Sequence, residues 1–442
     1  MDSIQHKLQT PISIAPLIIY RLLFGLMVGY GCLWSISKGD IETRYLEPSF
    51  FFKYDGFKWV DFIGAEGIYI LYGIWFFSAL GIFFGAFYRM AIWSFFFVFT
   101  YLHLLDATNY INHYYAISIF AFFLACLPAQ VAYSVDAWRK PAIQQLQIPA
   151  WQMAIFKAQV AIIYLFAAVA KMNADWMFGA MPLKIWLLQS QDFPIIGSLF
   201  QYHITAVLMS WVGLLFDLTI VVWLSLAKTR KWAYLTVVLF HTMTGLLFNI
   251  GLFPILMIFS TCVFFEPKTH QKILEKLGGK WAKTRTKTKD APYLRYLFIA
   301  HFALQLFLPL RHHFLYDNNI LWTEEGYRFS WRVMLLEKEG MATFYVEDPD
   351  SERHWVVSNL EFLSPFQEKR MSIRPDHILQ FAQHLGVIYA RRYDIKEPIV
   401  RAEVYVAMNG RVSQPLIDST VNFVKASGSI GQRTWILPYR EE

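Results

Sequence analysis

WQMAIFKAQVAIIYLFAAVAKMNADW, residues 151–176, is an apolar run of helix length that carries Lys157 near its start and closes on the amine of Lys171. A stretch this long with so few charges is expected to cross a bilayer core, about 30 Å thick, as a helix. An ammonium near hydrocarbon depth is costly, so Lys171 either lifts its amine to the interface or faces a bundle interior. Burial disfavours the charged form, which makes an inward lysine a candidate base near neutral pH. Two readings of Lys171 stand at this point, a snorkelling side chain and a proton acceptor in a site.

The remaining sequence has the same character. It is 56% hydrophobic, 18% aromatic and only 17% charged, with positive mean hydropathy, which excludes an ordinary soluble domain. About nine spans are expected, near 14–36, 64–87, 90–106, 113–129, 151–171, 205–227, 232–248, 250–266 and 292–310, with 90–129 and 232–266 open to other divisions. No early small-residue cleavage site follows a short apolar core, so the first span is expected to be retained.

The net charge of +7 suggests nucleic acid until its distribution is read. Basic residues gather in KTRK at 228–231 and between Lys268 and Lys289, both beside apolar runs. That is the positive-inside pattern, whose partners are anionic headgroups rather than nucleic acid. With the N-terminus in the cytoplasm, nine spans put both basic segments inside and everything after residue 310 outside. The three cysteines, Cys32, Cys126 and Cys262, fall in apolar runs, so no disulfide is expected in the external part. No cysteine or histidine spacing suggests a metal, and no P-loop or dinucleotide fingerprint is present.

Residues 311–442 change character. ATFYVED, HWVVS and AEVYVAMNGR read as short strands, with Asn409-Gly410 as a turn, and 375–391 reads as a helix with an acidic start. The expected class is α+β: a polytopic helical bundle over 1–310 and an external, β-rich, sandwich-like domain over 311–442.

This topology gathers polar residues on the external side. His103, Asp106, Asn112, His113 and Tyr114 belong there, as do Lys171, Asn173, Asp175, His241, Arg311, His312 and His313. A lone histidine such as His113 is commonly an interfacial anchor; its alternative role is to stabilise developing negative charge, oriented by Asn112. Arg21 and Lys157 are read as contacts to headgroups or interhelical carbonyls, and Asp217 as a structural partner of a neighbouring cation or hydroxyl.

Several blocks, in order, carry a resemblance that helix counting does not supply. They are IYRLLFGLMVGY (19–30), YLEPSFFFKYDGFKWV (45–60), NHYY (112–115), AAVAKMNADW (167–176), HTMTGLLFNIGLFP (241–254), EEGYRFSWRVML (324–335) and ASGSIGQRTWILPY (426–439). The chain resembles the vitamin K-dependent gamma-glutamyl carboxylase family, in a short bacterial-type form. The resemblance implies that Lys171 deprotonates reduced vitamin K, the hydroquinone co-substrate. O2 then converts it to an epoxide through an alkoxide that removes a γ-proton from a peptide glutamate, and the carbanion takes up CO2. Asn112 and His113 match positions that orient the base and stabilise charge, and with Lys171 they would hold the quinol. Tyr327 and Trp331 match the glutamate-binding region, and His241 joins them as a candidate substrate contact. No metal is implied. The implied location is a bacterial inner membrane, with the C-terminal domain periplasmic.

Departures from the family are specific. Eukaryotic members have a second lysine where this chain has Ala170, and a histidine and an arginine where it has Leu336 and Lys338. Neither the disulfide nor the long C-terminal extension of those members is expected here. Two alternatives therefore accompany the carboxylase reading: quinol epoxidation without efficient carboxylation, and lipid binding or transport without chemistry.

Overall fold

The computed structural model describes residues 2–248, 250–278, 292–316, 319–429 and 433–440. Helices occupy all nine expected runs, but they are not equally long. Ala15–Ser37, Ala65–Phe84, Tyr88–Leu105, Trp151–Lys171, His203–Ser225 and Tyr293–Leu310 are long and apolar enough to cross a membrane. Asn112–Cys126 and Phe253–Phe264 are shorter apolar helices, and Arg230–Phe248 opens on Arg230 and Lys231. Nine expected spans thus become six of full length among the described residues. At 1.5 Å per residue the fifteen-residue helix Asn112–Cys126 rises only about 22 Å, short of a typical bilayer core.

The first helices pack as an antiparallel series. Gly25 makes their close approach possible: a Cβ there would lie 2.6 Å from the Phe83 backbone nitrogen. Arg21 is fully buried and donates to the carbonyls of Ala129 (2.9 Å) and Tyr133 (2.6 Å) in the turn after Asn112–Cys126, so it meets backbone carbonyls between helices and not headgroups. Strand β1 (Pro11–Ser13) pairs antiparallel with β2 (Gln147–Pro149), a ladder the apolar periodicity does not reveal.

The C-terminal part is one antiparallel sheet in the order β4-β3-β5-β6, formed by β3 (Lys338–Glu347), β4 (His354–Val356), β5 (Ile399–Met408) and β6 (Gln414–Pro415). Along β5, Val400, Ala402, Val404, Val406 and Met408 alternate inward, as a half-buried strand requires. Asn409 and Gly410 both have positive φ and turn the chain towards β6. Helix Pro375–Tyr393 buries Ile378, Phe381, Ala382 and Leu385 at helical spacing against the sheet. The α+β class stands, while the expected sandwich is, among the described residues, a sheet covered by a helix rather than by a second sheet.

This cap is docked on the bundle. The segment after the first helix puts Phe52 and Tyr54 into the cap's own core. Gln367 Nε2 donates to Asp106 Oδ2 at 2.7 Å and to the Phe50 carbonyl at 2.8 Å. Helices Ala15–Ser37, Tyr88–Leu105 and Trp151–Lys171 all end on this side, so a cleft forms where their polar ends meet the cap.

Candidate active site

Three helices turn one face each to a single cavity. Tyr164, Ala167 and Lys171 recur at helical spacing on Trp151–Lys171, as do Met209, Gly213 and Asp217 on His203–Ser225, and His241, Thr244 and Phe248 on Arg230–Phe248. The cavity is lined mainly by apolar and aromatic side chains, as ligand pockets commonly are. Lys171 Nζ donates to Asp217 Oδ2 at 2.7 Å. The lysine is 6% exposed, which rules out snorkelling.

The KMNADW sequence explains how the amine is covered. Asn173 Oδ1 accepts from the Trp176 backbone N–H at 3.0 Å, turning the chain back after the helix. Trp176 then lies over the amine, 5.2 Å from ring centroid to Nζ, with its indole N–H on the Ser210 carbonyl at 2.8 Å. Asp175 faces the cap, where it accepts from Asn409 Nδ2 at 2.7 Å and pairs with Arg411. His241 is buried in the same cavity wall: Nε2 is 2.8 Å from the Tyr164 hydroxyl, and Nδ1 has no hydrogen-bond partner among the described residues.

Two further cavities continue outward. The middle one shares Ile250, Phe253, Val333 and Met334 with the first, and holds Asn112 and His113 beside Asp40, Arg44 and Arg370. Phe253 stands between the histidines, with ring centroids 5.8 Å from His241 and 6.2 Å from His113. No hydrogen bond joins Asn112 or His113 to Lys171 among the described residues. Asn112 instead secures the cap-side chain: Nδ2 donates to the Arg332 carbonyl at 2.6 Å, and Oδ1 accepts from the Tyr110 hydroxyl at 3.0 Å.

The outer cavity shares Asn112, Arg370 and Met334 with the middle one and adds Tyr327, Glu324, Lys338 and Arg374. Glu324 bridges Arg374 (2.9 Å) and Lys338 (3.2 Å). Burial of its carboxyl raises the pKa, but Arg374 and then Lys338 outweigh burial and hold it down to about 2. Lys338 also donates to the Trp322 carbonyl at 2.7 Å.

The structure therefore brings Lys171 and His241 into one cavity, Asn112 and His113 into the next, and Tyr327 into the third. Trp331 is not among the lining residues. It is 1% exposed, stacks on Tyr115 at 4.9 Å and donates its indole N–H to Gln305 Oε1 at 3.1 Å, so packing in the bundle has removed it from the expected substrate surface. Ala170, His312 and His313 line a separate cavity on the other side of the lysine's helix end. His103 is buried among Tyr54, Tyr110 and Tyr114. Gln432, in the matched QRTW block, lies outside the described residues.

Two features are not legible in the sequence. Asp217 finds the neighbouring cation expected for it, but that this cation is Lys171 emerges only from the structure; the four-residue spacing of Asp217 from Gly213 and Met209 is the available signal. Met334, which touches all three cavities, had none.

A family model for the HTTM domain matches residues 9–268, and one for the lumenal domain of vitamin K-dependent gamma-carboxylase matches residues 290–442. The chain belongs to the vitamin K-dependent gamma-glutamyl carboxylase family. No solved structure matches it. Within this carboxylase framework the Lys171–Asp217 pair and Asn112–His113 lie in the HTTM match, whereas Tyr327 and Met334 lie in the lumenal-domain match. The membrane character and the lumenal domain thus follow from family as well as from helix composition.

Proposed function

We propose that this protein oxidises a vitamin K-type hydroquinone to its epoxide in the Lys171 cavity and couples this to carboxylation of a peptide glutamate by CO2. The observation that carries the reading is the Lys171–Asp217 pair buried in the wall of an apolar cavity. A hydroquinone is an apolar ring with two hydroxyls, and the polar groups of this wall include the amine of Lys171 and Nδ1 of His241, which has no hydrogen-bond partner among the described residues. The oxidised quinol supplies the strong base that a lysine cannot be, because an amine does not remove a carbon-bound proton.

The protein's share is proton handling and exclusion of water. Lys171 passes a proton to Asp217 as it takes one from the phenolic hydroxyl, so it remains an ammonium against the new negative charge while Asp217 becomes neutral. In a low-dielectric cavity that ammonium counts for more than in water. Trp176, Phe248 and Phe253 keep solvent from the reacting ring. Asn112 and His113 lie on the path outwards, and Arg370, Arg374 and Lys338 give the outer cavity the cationic character a glutamate side chain needs.

One observation favours the second reading, epoxidation without efficient carboxylation. Lys338 and Arg374 are both committed to Glu324, which lessens their hold on an incoming carboxylate. One assay separates the readings. Purified protein in detergent receives reduced vitamin K, O2, labelled bicarbonate and a glutamate peptide, beside a Lys171→Ala control. Label in the peptide that vanishes in the variant supports carboxylation. Epoxide without label leaves the epoxidase, and neither product leaves a lipid binder. The proposed placement is a bacterial inner membrane with the cap periplasmic. A reporter fused after residue 442 is then active only outside the cytoplasm, and cytoplasmic activity refutes that orientation.

A further inference from the structure

Among the described residues, Met334 alone lines the inner, middle and outer cavities together. The chain around it is built unusually. Phe329, Trp331 and Met334 all have positive φ (61°, 56° and 55°), a conformation that non-glycine residues hold only where surroundings enforce it. The enforcing contacts lie on both sides of Met334. Upstream, the Phe329 N–H donates to the Tyr110 hydroxyl at 2.7 Å, Trp331 is held by Gln305, and Asn112 holds the Arg332 carbonyl. Downstream, the Glu337 N–H donates to Asn409 Oδ1 at 3.0 Å, and the Asn409 N–H returns a bond to the Glu337 carbonyl at 2.8 Å. Between these clamps the backbone of Val333, Met334, Leu335 and Leu336 makes no hydrogen bond among the described residues.

We propose that Met334 is a movable partition between the quinol cavity and the cavity that receives the glutamate, and that it sets how tightly oxidation is coupled to carboxylation. The inference rests on the functional reading above. An unbranched thioether with three rotatable bonds fills an irregular passage and can withdraw from it without moving the clamped backbone. While it fills the passage, water in the outer cavity cannot reach a base formed in the inner one. When it withdraws, the two reacting groups meet through the middle cavity, past Asn112. Met334 acts through what it admits; it is a positioning residue that takes no proton itself.

The test measures epoxide and labelled γ-carboxyglutamate in one reaction. Met334→Trp blocks the passage and Met334→Ala leaves it open to water, so each raises the ratio of epoxide to carboxylated product about tenfold or more, whereas Met334→Leu, similar in volume, keeps the ratio. An unchanged ratio in both Trp and Ala variants overturns the partition. If the unaltered protein makes neither product, the functional reading has failed, and a measurement independent of turnover still decides this one. In a background with Cys32, Cys126 and Cys262 replaced by Ala, Met334→Cys is exposed to menadione, which arylates thiols from the membrane side, and to a charged methanethiosulfonate from the aqueous side. Each reagent is expected to label Cys at this position and to block the other. For comparison, Thr244→Cys reacts with menadione alone and Tyr327→Cys with the charged reagent alone. Labelling of Met334→Cys from one side only overturns the proposal.

Discussion

The inner and outer cavities bury charge in opposite ways. Around Lys171 there is, among the described residues, one ion pair, at 2.7 Å, in an apolar shell. Around Tyr327 the carboxylate of Glu324 is shared by two cations, and Arg328, a few residues on, pairs with Asp376 at 2.6 Å and reaches His377 Nε2 at 2.7 Å. A lone buried pair is easily unbalanced by the arrival of a third polar group, which suits proton transfer. A network of fixed charges resists such change and suits recognition and the holding of a shape. The proposed division of labour follows this contrast: chemistry where charge is sparse, substrate placement where it is dense.

The largest effect expected is at the sparse site. Lys171→Ala should lower epoxide formation by about 10³-fold, the scale of a lost general base. The same change strands Asp217, and breaking a buried pair costs about 3–5 kcal/mol. A Lys171→Met, Asp217→Leu double variant separates the two consequences. Its thermal unfolding midpoint should recover towards that of the unaltered protein while epoxidation stays lost. Recovery of activity with stability would sink the catalytic reading of Lys171.

At the dense site the main loss should be stability. Glu324→Gln leaves Lys338 and Arg374 buried without a carboxylate, at a cost of about 3 kcal/mol. Thermal unfolding in detergent should show it, with epoxide formation largely retained. If epoxide formation falls as far as it does for Lys171→Ala, the two cavities are not functionally distinct.

Acid should dismantle the same network in a defined order. His377 is pushed down to about 3 by burial, so the unfolded chain takes up a proton there that the folded cap refuses, and stability begins to fall below the ordinary histidine value near 6.5. Glu324 has its pKa depressed to about 2, so its contribution, on the order of 3 kcal/mol, is complete above the ordinary carboxylate value near 4.5 and is lost as pH falls towards 2. Denaturation midpoints measured from pH 7 down to 3 should therefore decline in two stages. In Glu324→Gln the second stage should shrink. A midpoint independent of pH in this range contradicts the buried network.

How legible this was in the sequence depends on the range of the interaction. The apolar runs, the inward alternation of β5, the Asn409-Gly410 turn and the helix after Pro375 are local patterns, and each element stands where its pattern lay. The length of Asn112–Cys126 was less legible, because apolar residues beyond Cys126 continue the run after the helix has ended. The identity of partners across the fold was silent. Asp217 lies 46 positions from Lys171, and only packing of two helices makes them partners. Trp331 misled for the converse reason: its motif pointed to substrate, while Gln305 and Tyr115, neither near it in sequence, hold it in the core. The covering of the sheet by a helix rather than a second sheet is likewise a matter of assembly.

The smallest effect sharpens the contrast most, because it asks which cation of the outer cavity remains available. Lys338 and Arg374 are engaged with Glu324, and Lys369 with Glu339 at 2.8 Å. Arg370 makes no ion pair among the described residues; it lies against the Phe366 ring and lines both the outer and the middle cavity. It is thus the cation a glutamate side chain would meet on its way towards Asn112 and Met334. Arg370→Ala should raise the KM for a glutamate peptide about tenfold, equivalent to about 1.4 kcal/mol, while leaving the KM for the quinol unchanged. Arg370→Lys should restore part of the loss, since charge persists without the bidentate fork. Equal changes in both KM values would mean that the two cavities do not sort their substrates by charge, and the contrast between them would then concern stability alone.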